Sequence, residues 1–178
     1  MTWDIKAPQG NEAAKVRWEL VPYMRGRALD LGCGPFKVFP HFIGVDNGHH
    51  DKRFTGWESR ADVLVDSCEK LSLFATEFVD CVFSSHLLEH IEYKKVHEVL
   101  TEWMRVLRKG GHLVLYIPDE DEYPKMGQPG ANPDHKWDCN YQKVIEALEK
   151  VEYDWDLIDF QKRNKNDEYS LLFVVKKL

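Results

Sequence analysis

Residues 28–34, Ala28-Leu29-Asp30-Leu31-Gly32-Cys33-Gly34, join a short apolar strand to a turn in which two glycines flank one small residue. Glycine tolerates positive φ and carries no Cβ, so the N–H groups of such a turn can approach a polar or anionic ligand that larger side chains would hold away. Asp30, at the carboxyl end of the strand, adds an acceptor for a cation. Downstream, a second apolar run, Phe42-Ile43-Gly44-Val45, closes on Asp46. An acidic residue ending the second strand of a βαβ unit is placed to accept both hydroxyls of a ribose. The dinucleotide fingerprint fails here, because Lys37 stands where a third glycine is required and Asp46 arrives sooner than about 20 residues on. A nucleoside without a pyrophosphate fits the spacing better.

Two further strands follow. Ala61-Asp62-Val63-Leu64-Val65-Asp66-Ser67-Cys68 is a short strand with a polar exit, and Phe78-Val79-Asp80-Cys81-Val82-Phe83-Ser84-Ser85-His86 is another. Asp30, Asp46, Asp66 and Ser84 thus end four strands, and the carboxyl ends of an open parallel sheet are where ligands sit.

On these residues the chain resembles the class I S-adenosylmethionine-dependent methyltransferases, in their small-molecule branch. The matching stretches are LDLGCGP at 29–35, GVD at 44–46, VDSCEKL at 65–71, FVDCVFSSHLLEHI at 78–91 and EWMRVLRKGGHLVLYIP at 102–118. The resemblance implies a Rossmann-like three-layer α/β sandwich, with a mostly parallel seven-stranded sheet, and S-adenosyl-L-methionine as cofactor. It implies that Asp30, Gly32 and Gly34, with Cys33 between the glycines, line the methionine moiety. Asp46 would hold the ribose, Asp66 and Ser67 would meet the adenine edge, and Ser84 would lie near the sulfonium. Lys15 and Arg17 would fold over the cofactor carboxylate from an N-terminal cover spanning 1–24. One departure stands out: only residues 35–43, with prolines at 35 and 40, separate the glycine turn from the second strand. A parallel crossover normally needs a dozen or more residues, so the first helix is expected to shrink to a turn or 3₁₀ segment.

The remaining elements follow from periodicity. Asn11 can cap a helix over 12–21 that Pro22 helps to end. Val96, Val99, Leu100, Trp103, Val106 and Leu107 repeat at helical spacing within 92–108, with Gly110-Gly111 as a stop and a fifth strand at 112–117. A helix over 141–151 leads to runs at 155–160 and 170–175, separated by a polar turn, which read as a closing antiparallel hairpin. The stretch 119–140 is broken by Pro124, Gly127, Pro129, Gly130 and Pro133. About twenty aperiodic residues in a compact domain are usually functional or disordered, and Tyr123 and Trp137 argue for packing, so this reads as a mobile lid facing the substrate.

At 178 residues the chain suits a single domain. Its net charge of −6 makes nucleic acid an improbable partner, since that binding rests on clustered Lys and Arg. No apolar run approaches a membrane span and the first residues lack the parts of a signal peptide, so a cytoplasmic location is expected. Cys33, Cys68, Cys81 and Cys139 have no CxxC spacing, and neither a disulfide nor a cysteine-held metal is expected.

His86-Leu87-Leu88-Glu89-His90 matches the H-x-x-E-H pattern of one zinc hydrolase group. That reading needs a third ligand elsewhere and leaves the glycine turn unexplained. Under the resemblance, His86 opens into the active site with His90 one turn later on the same face, and either could be a general base. His135, in the lid stretch, is the third candidate; His49 and His50 read as exposed turn residues. The function that follows is methyl transfer to an oxygen or nitrogen of a small molecule or glycan precursor, with no metal required. A non-catalytic nucleoside-binding partner subunit is the alternative, and the oligomeric state is left open.

Overall fold

The computed structural model describes residues 11–49 and 58–178; His50 and the first ten residues of the N-terminal cover lie outside them. Seven strands form one sheet: β1 (Ala28–Leu31), β2 (Ile43–Asp46), β3 (Val63–Leu64), β4 (Val79–Ser85), β5 (Leu107–Pro118), β6 (Trp155–Arg163) and β7 (Ser170–Lys177). Their spatial order is β3-β2-β1-β4-β5-β7-β6. The first five are parallel, β7 runs antiparallel to β5, and β6 antiparallel to β7. This is the expected sheet, closed by the expected hairpin, although both hairpin strands are longer than their apolar runs.

Strand alternation divides the core between two faces. Leu29, Leu31, Val82, Leu113 and Leu115 project to one side, where they meet α2 (Val96–Val106) and α3 (Tyr141–Leu148) through Leu100, Trp103, Val144 and Leu148. Ala28, Cys81, Phe83, Val114 and Tyr116 project to the other, under Val16, Leu20, Val38 and Phe42. That second cover is thin. Only α1 (Ala13–Val16) is helical in it, followed by turns through Tyr23, so the helix expected over 12–21 is cut to one turn. Asn11 still caps it, its Oδ1 accepting from the Ala14 N–H at 3.2 Å. The 35–42 crossover contains turns and no helix, as its prolines and length require.

The junction of α2 and β5 corrects the helix boundary. The helix stops at Val106, Leu107 is already extended, and Gly110-Gly111 lie inside the strand. Between Val79 paired with Leu107 and Cys81 paired with His112 the register shifts, so a bulge takes up the extra β5 residues. Gly110 sits at φ +80°, and a Cβ on Gly111 would meet the Arg108 and Asp80 carbonyl oxygens at 2.9 Å. The glycines therefore shape the bulge and do not end the helix.

The end of α2 is held by Lys177, whose buried ammonium donates to the Met104 and Leu107 carbonyls at 3.0 and 2.8 Å. Removing the cation leaves those acceptors poorly satisfied, a loss of about 1–3 kcal/mol. Lys177→Met should therefore lower the melting temperature by about 2–12 °C. A melt within 1 °C of the parent would show that the carbonyls need no such partner.

Candidate active site

The parallel strand order reverses between β1 and β4, and the chain leaving each of them there encloses a cleft of about 130 Å³. Asp30, Gly32, Cys33 and Gly34 line one wall, Ser85 and His86 another, and Asn11 and Glu12 of the N-terminal segment a third. Gly32 has φ +68° and Gly34 φ +53°. A Cβ on Gly32 would come within 3.0 Å of the Leu87 side chain, so the turn needs both the conformation and the missing carbon.

Asp46 braces this turn. One carboxylate oxygen accepts from the Gly34 N–H at 2.9 Å and the other from the Gly48 N–H at 2.8 Å. A carboxylate has about four acceptor positions, so two remain for ribose hydroxyls. Gly44 in β2 is a requirement that sequence reading missed: a Cβ there would meet Cys33 Sγ and Lys37 Cδ at 2.8 Å. Lys37, which replaces the third glycine of the dinucleotide pattern, instead donates to Asp62 at 2.8 Å and to the Phe42 carbonyl at 3.1 Å.

Asp30 is buried beneath the turn and accepts from the Val38 N–H. Burial pushes its carboxyl up to about 7, against the opposing pull of the Val38 N–H and Lys37. A folded chain thus holds a proton at Asp30 that the unfolded chain, near 3.8, has released. The associated stabilisation is complete below about 4 and is lost as pH rises through 7. Denaturant melts from pH 5 to 8 should show this decline, and Asp30→Asn should flatten it; an unchanged slope in the variant would assign the effect elsewhere.

The other expected cofactor residues are distributed less uniformly. Asp66 and Ser67 are exposed just beyond the end of β3. Arg17 is partly buried, donates to the Lys37 carbonyl at 3.4 Å and lies over the Phe39 ring. Ser84 is fully buried and does not line the cleft, whereas its neighbour Ser85 does, because successive strand residues point to opposite faces.

The three candidate histidines converge on a residue that sequence reading weighed only as part of a zinc motif. Glu89 is fully buried, and neither carboxylate oxygen has a hydrogen-bond partner. Its Oε1 lies 3.5 Å from His86 Nδ1 and 3.7 Å from His135 Nε2, and the His135 ring stands edge-on to His90 with centroids 5.0 Å apart. Burial raises the Glu89 carboxyl to about 8. Burial lowers His86 to about 3 and His135 to about 4, helped in each case by neighbouring imidazoles, and lowers His90 as well. His86 also meets Ser170 Oγ through Nε2 at 3.0 Å, so both of its ring nitrogens face protein groups.

The hydrolase geometry does not form. His86 leaves the strand at φ +50° and Leu88–His90 is a 3₁₀ turn, so the two histidines are not successive ligands on one helix face. Residues 119–140 contain no helix or strand, and their base is fastened. The Lys136 N–H donates to the Glu89 carbonyl at 2.8 Å, Trp137 Nε1 to the Leu88 carbonyl at 3.2 Å, and the Glu120 N–H to the Cys139 carbonyl at 2.8 Å. Residues 125–130, at the tip, are exposed.

Residues 29–115 match the family model of a methyltransferase domain, and so carry the glycine turn, Asp46 and the histidine pair of the β4 exit. Over those residues the chain carries a methyltransferase domain, and its fold is that of the class I S-adenosylmethionine-dependent methyltransferases. Solved structures with the same fold include the PH0226 protein of Pyrococcus horikoshii, at TM-score 0.71 and 20% identity over 98% of this chain and 94% of that one. A SAM-dependent methyltransferase of Archaeoglobus fulgidus is similar at TM-score 0.66 and 18% identity, over 94% of this chain and 95% of that one. One from Mesorhizobium loti has TM-score 0.64 and 17% identity, over 94% and 99%. No curated protein matches the chain. The methyltransferase match implies S-adenosylmethionine as the cofactor. Among the described residues no helix is long and apolar enough to cross a membrane.

Proposed function

We propose that this methyltransferase acts on an oxygen or nitrogen of a small molecule or glycan precursor, with the cofactor held across the β1–β4 switch point and the acceptor approaching from the side of residues 119–140. The convergence of His86, His90 and His135 around Glu89 carries the reading. It forms a polar group between the cofactor cleft, which His86 lines, and the segment that brings His135.

The fit to the cofactor rests on three features. Bare backbone at Gly32 and Gly34 admits a close ligand, the buried Asp30 carboxyl gains a cationic partner if an ammonium enters, and Asp46 keeps two acceptor positions for a ribose. The cleft is smaller than the roughly 300 Å³ of an ordinary small-molecule pocket. It would take the amino-acid end, with Cys33 beside it and Arg17 near the carboxylate, while the nucleoside extends along Asp46 towards Asp66 and Ser67. The bound sulfonium supplies an electrophilic methyl group. The protein's own task is then to align the acceptor behind it, exclude water and accept a proton where the acceptor is a hydroxyl. We assign the last of these to His90 or His135, since both ring nitrogens of His86 already face Glu89 and Ser170, and the exclusion of water to the aromatic rings of Tyr123 and Tyr169, 5.1 Å apart.

Calorimetric titration with S-adenosylhomocysteine, followed by a donor-consumption screen over small hydroxyl, amine and glycan acceptors, tests the reading. Turnover on one of these classes is the expected outcome. Cofactor binding with turnover only on a protein or nucleic acid would overturn the acceptor class.

A further inference from the structure

We infer that Glu89, His90 and His135 form a binding site for a divalent transition-metal cation of the zinc or cobalt type, joining the exit of β4 to the segment 119–140. Each residue offers one ligand atom, and the three atoms lie within 4.8 Å of one another. The independent sign is Glu89 itself. Its side chain is fully buried, both oxygens lack a hydrogen-bond partner, and one of them is aimed between two imidazoles. A buried carboxyl whose oxygens have no partner is costly whether charged or neutral, and such groups are normally hydrogen-bonded, paired or held by a metal.

The donor set selects the ion. Two imidazole nitrogens and one carboxylate oxygen suit zinc, cobalt or iron, whereas calcium and magnesium take all-oxygen shells. Ligand bonds of about 2.0–2.2 Å place tetrahedral ligand atoms roughly 3.3–3.6 Å apart, so a separation at the 4.8 Å limit must close by roughly 1.2–1.5 Å. The contact between Glu89 Oε1 and His135 Nε2, at 3.7 Å, is already near that spacing.

The backbone supports the arrangement. Lys136, next to His135, donates its N–H to the carbonyl of Glu89, and Trp137 donates to Leu88, so the two stretches that supply ligands are tied at their main chains. His86 would then stand in the supporting position. Its Nδ1 is 3.5 Å from Glu89 Oε1 and its Nε2 meets Ser170, so it can orient the carboxylate as outer partners of metal ligands do. Three protein ligands leave a fourth position open. On the acceptor-side reading above, that position would receive an oxygen or nitrogen of the acceptor. The site revises the expectation that the chain holds no metal, and it differs from the zinc-hydrolase pattern because Glu89 is a ligand and His86 is not.

The test is calorimetric titration of the chelator-treated full chain with zinc chloride alone and, separately, with cobalt chloride while the visible absorption of the cobalt is recorded. Each variant is also titrated with S-adenosylhomocysteine. One metal per chain at micromolar affinity or tighter is expected, with a cobalt spectrum of low coordination number. Glu89→Gln and His135→Ala should each weaken metal binding at least hundredfold while S-adenosylhomocysteine affinity stays within about threefold. Should Glu89→Gln not fold, His135→Ala and His90→Asn decide. Absence of 1:1 binding in a parent chain that binds S-adenosylhomocysteine would overturn the site, as would metal binding indifferent to these variants. Failure of S-adenosylhomocysteine binding alone would count against the cofactor assignment and leave the metal result to be read by itself.

Discussion

Asp46→Ala is expected to lower affinity for S-adenosylhomocysteine at least tenfold, and more where both ribose hydroxyls bond to the carboxylate. Charge-assisted hydrogen bonds contribute on the order of 1.5–3 kcal/mol each, so losing two corresponds to a hundredfold or greater effect. The turn adds a second cause. The Gly34 and Gly48 N–H groups would lose their acceptor, and the backbone at Gly32–Gly34 would no longer be braced. Asp46→Asn separates the causes, because it keeps one acceptor oxygen for the turn but loses the charge. Calorimetry on all three proteins, with circular dichroism to confirm folding, measures both. Parent-like affinity in a folded Asp46→Ala variant would remove this residue from the cofactor site.

His135→Ala should reduce turnover by roughly a hundredfold or more, with cofactor affinity nearly unchanged. The imidazole lies beside Glu89 and beneath Tyr123, is nearly fully buried, and does not line the cleft between the glycine turn and His86. Its loss therefore acts on the acceptor step. In the metal-free chain, where the His135 imidazole is not a ligand, proton transfer by a positioned side chain contributes about 10²–10⁴ in rate, which sets the scale. Single-turnover kinetics with saturating cofactor read the effect directly. Full turnover would exclude His135 from the mechanism, and lost cofactor affinity with intact turnover would mean that residues 119–140 serve the wrong half of the site.

Much of the sheet was legible because strands buried on both faces leave continuous apolar runs, such as Leu113–Ile117 and Leu171–Val175, while Ala28–Leu31 and Val79–Phe83 are each interrupted by a single aspartate. The reduced crossover at 35–42 was legible from its length and its two prolines. The short α1 was not, because Val16, Leu20 and Met24 have helical spacing yet are buried by docking individually onto the second face of the sheet. Tertiary packing there overrides the local pattern. Gly110-Gly111 misled for a related reason: glycine after a helix signals a stop, but the same residue also serves a bulge.

In the site, the glycine turn and Asp46 declared themselves through spacing. Ser84 and Ser85 did not separate, because a one-residue difference in where a strand faces cannot be read from two adjacent serines. Glu89 was visible only inside a motif that suggested another enzyme. Its apolar flanks, Leu87, Leu88 and Ile91, were the signal that its carboxylate would be carried into the interior. The approach of His135 depends on a loop that crosses more than forty residues of sequence, and no local pattern announces it. The expectation that 119–140 is mobile throughout also needs division, since the base is tied to the 3₁₀ turn at Leu88–His90 and only the tip is exposed.

The most direct test of the cofactor assignment is a crystal structure of the full chain with S-adenosylhomocysteine. The amino-acid end should lie between the Gly32–Gly34 backbone and Ser85–His86, with the ribose hydroxyls on Asp46. Electron density for the ligand at any other place, with the β1–β4 cleft closed to it, would contradict the account.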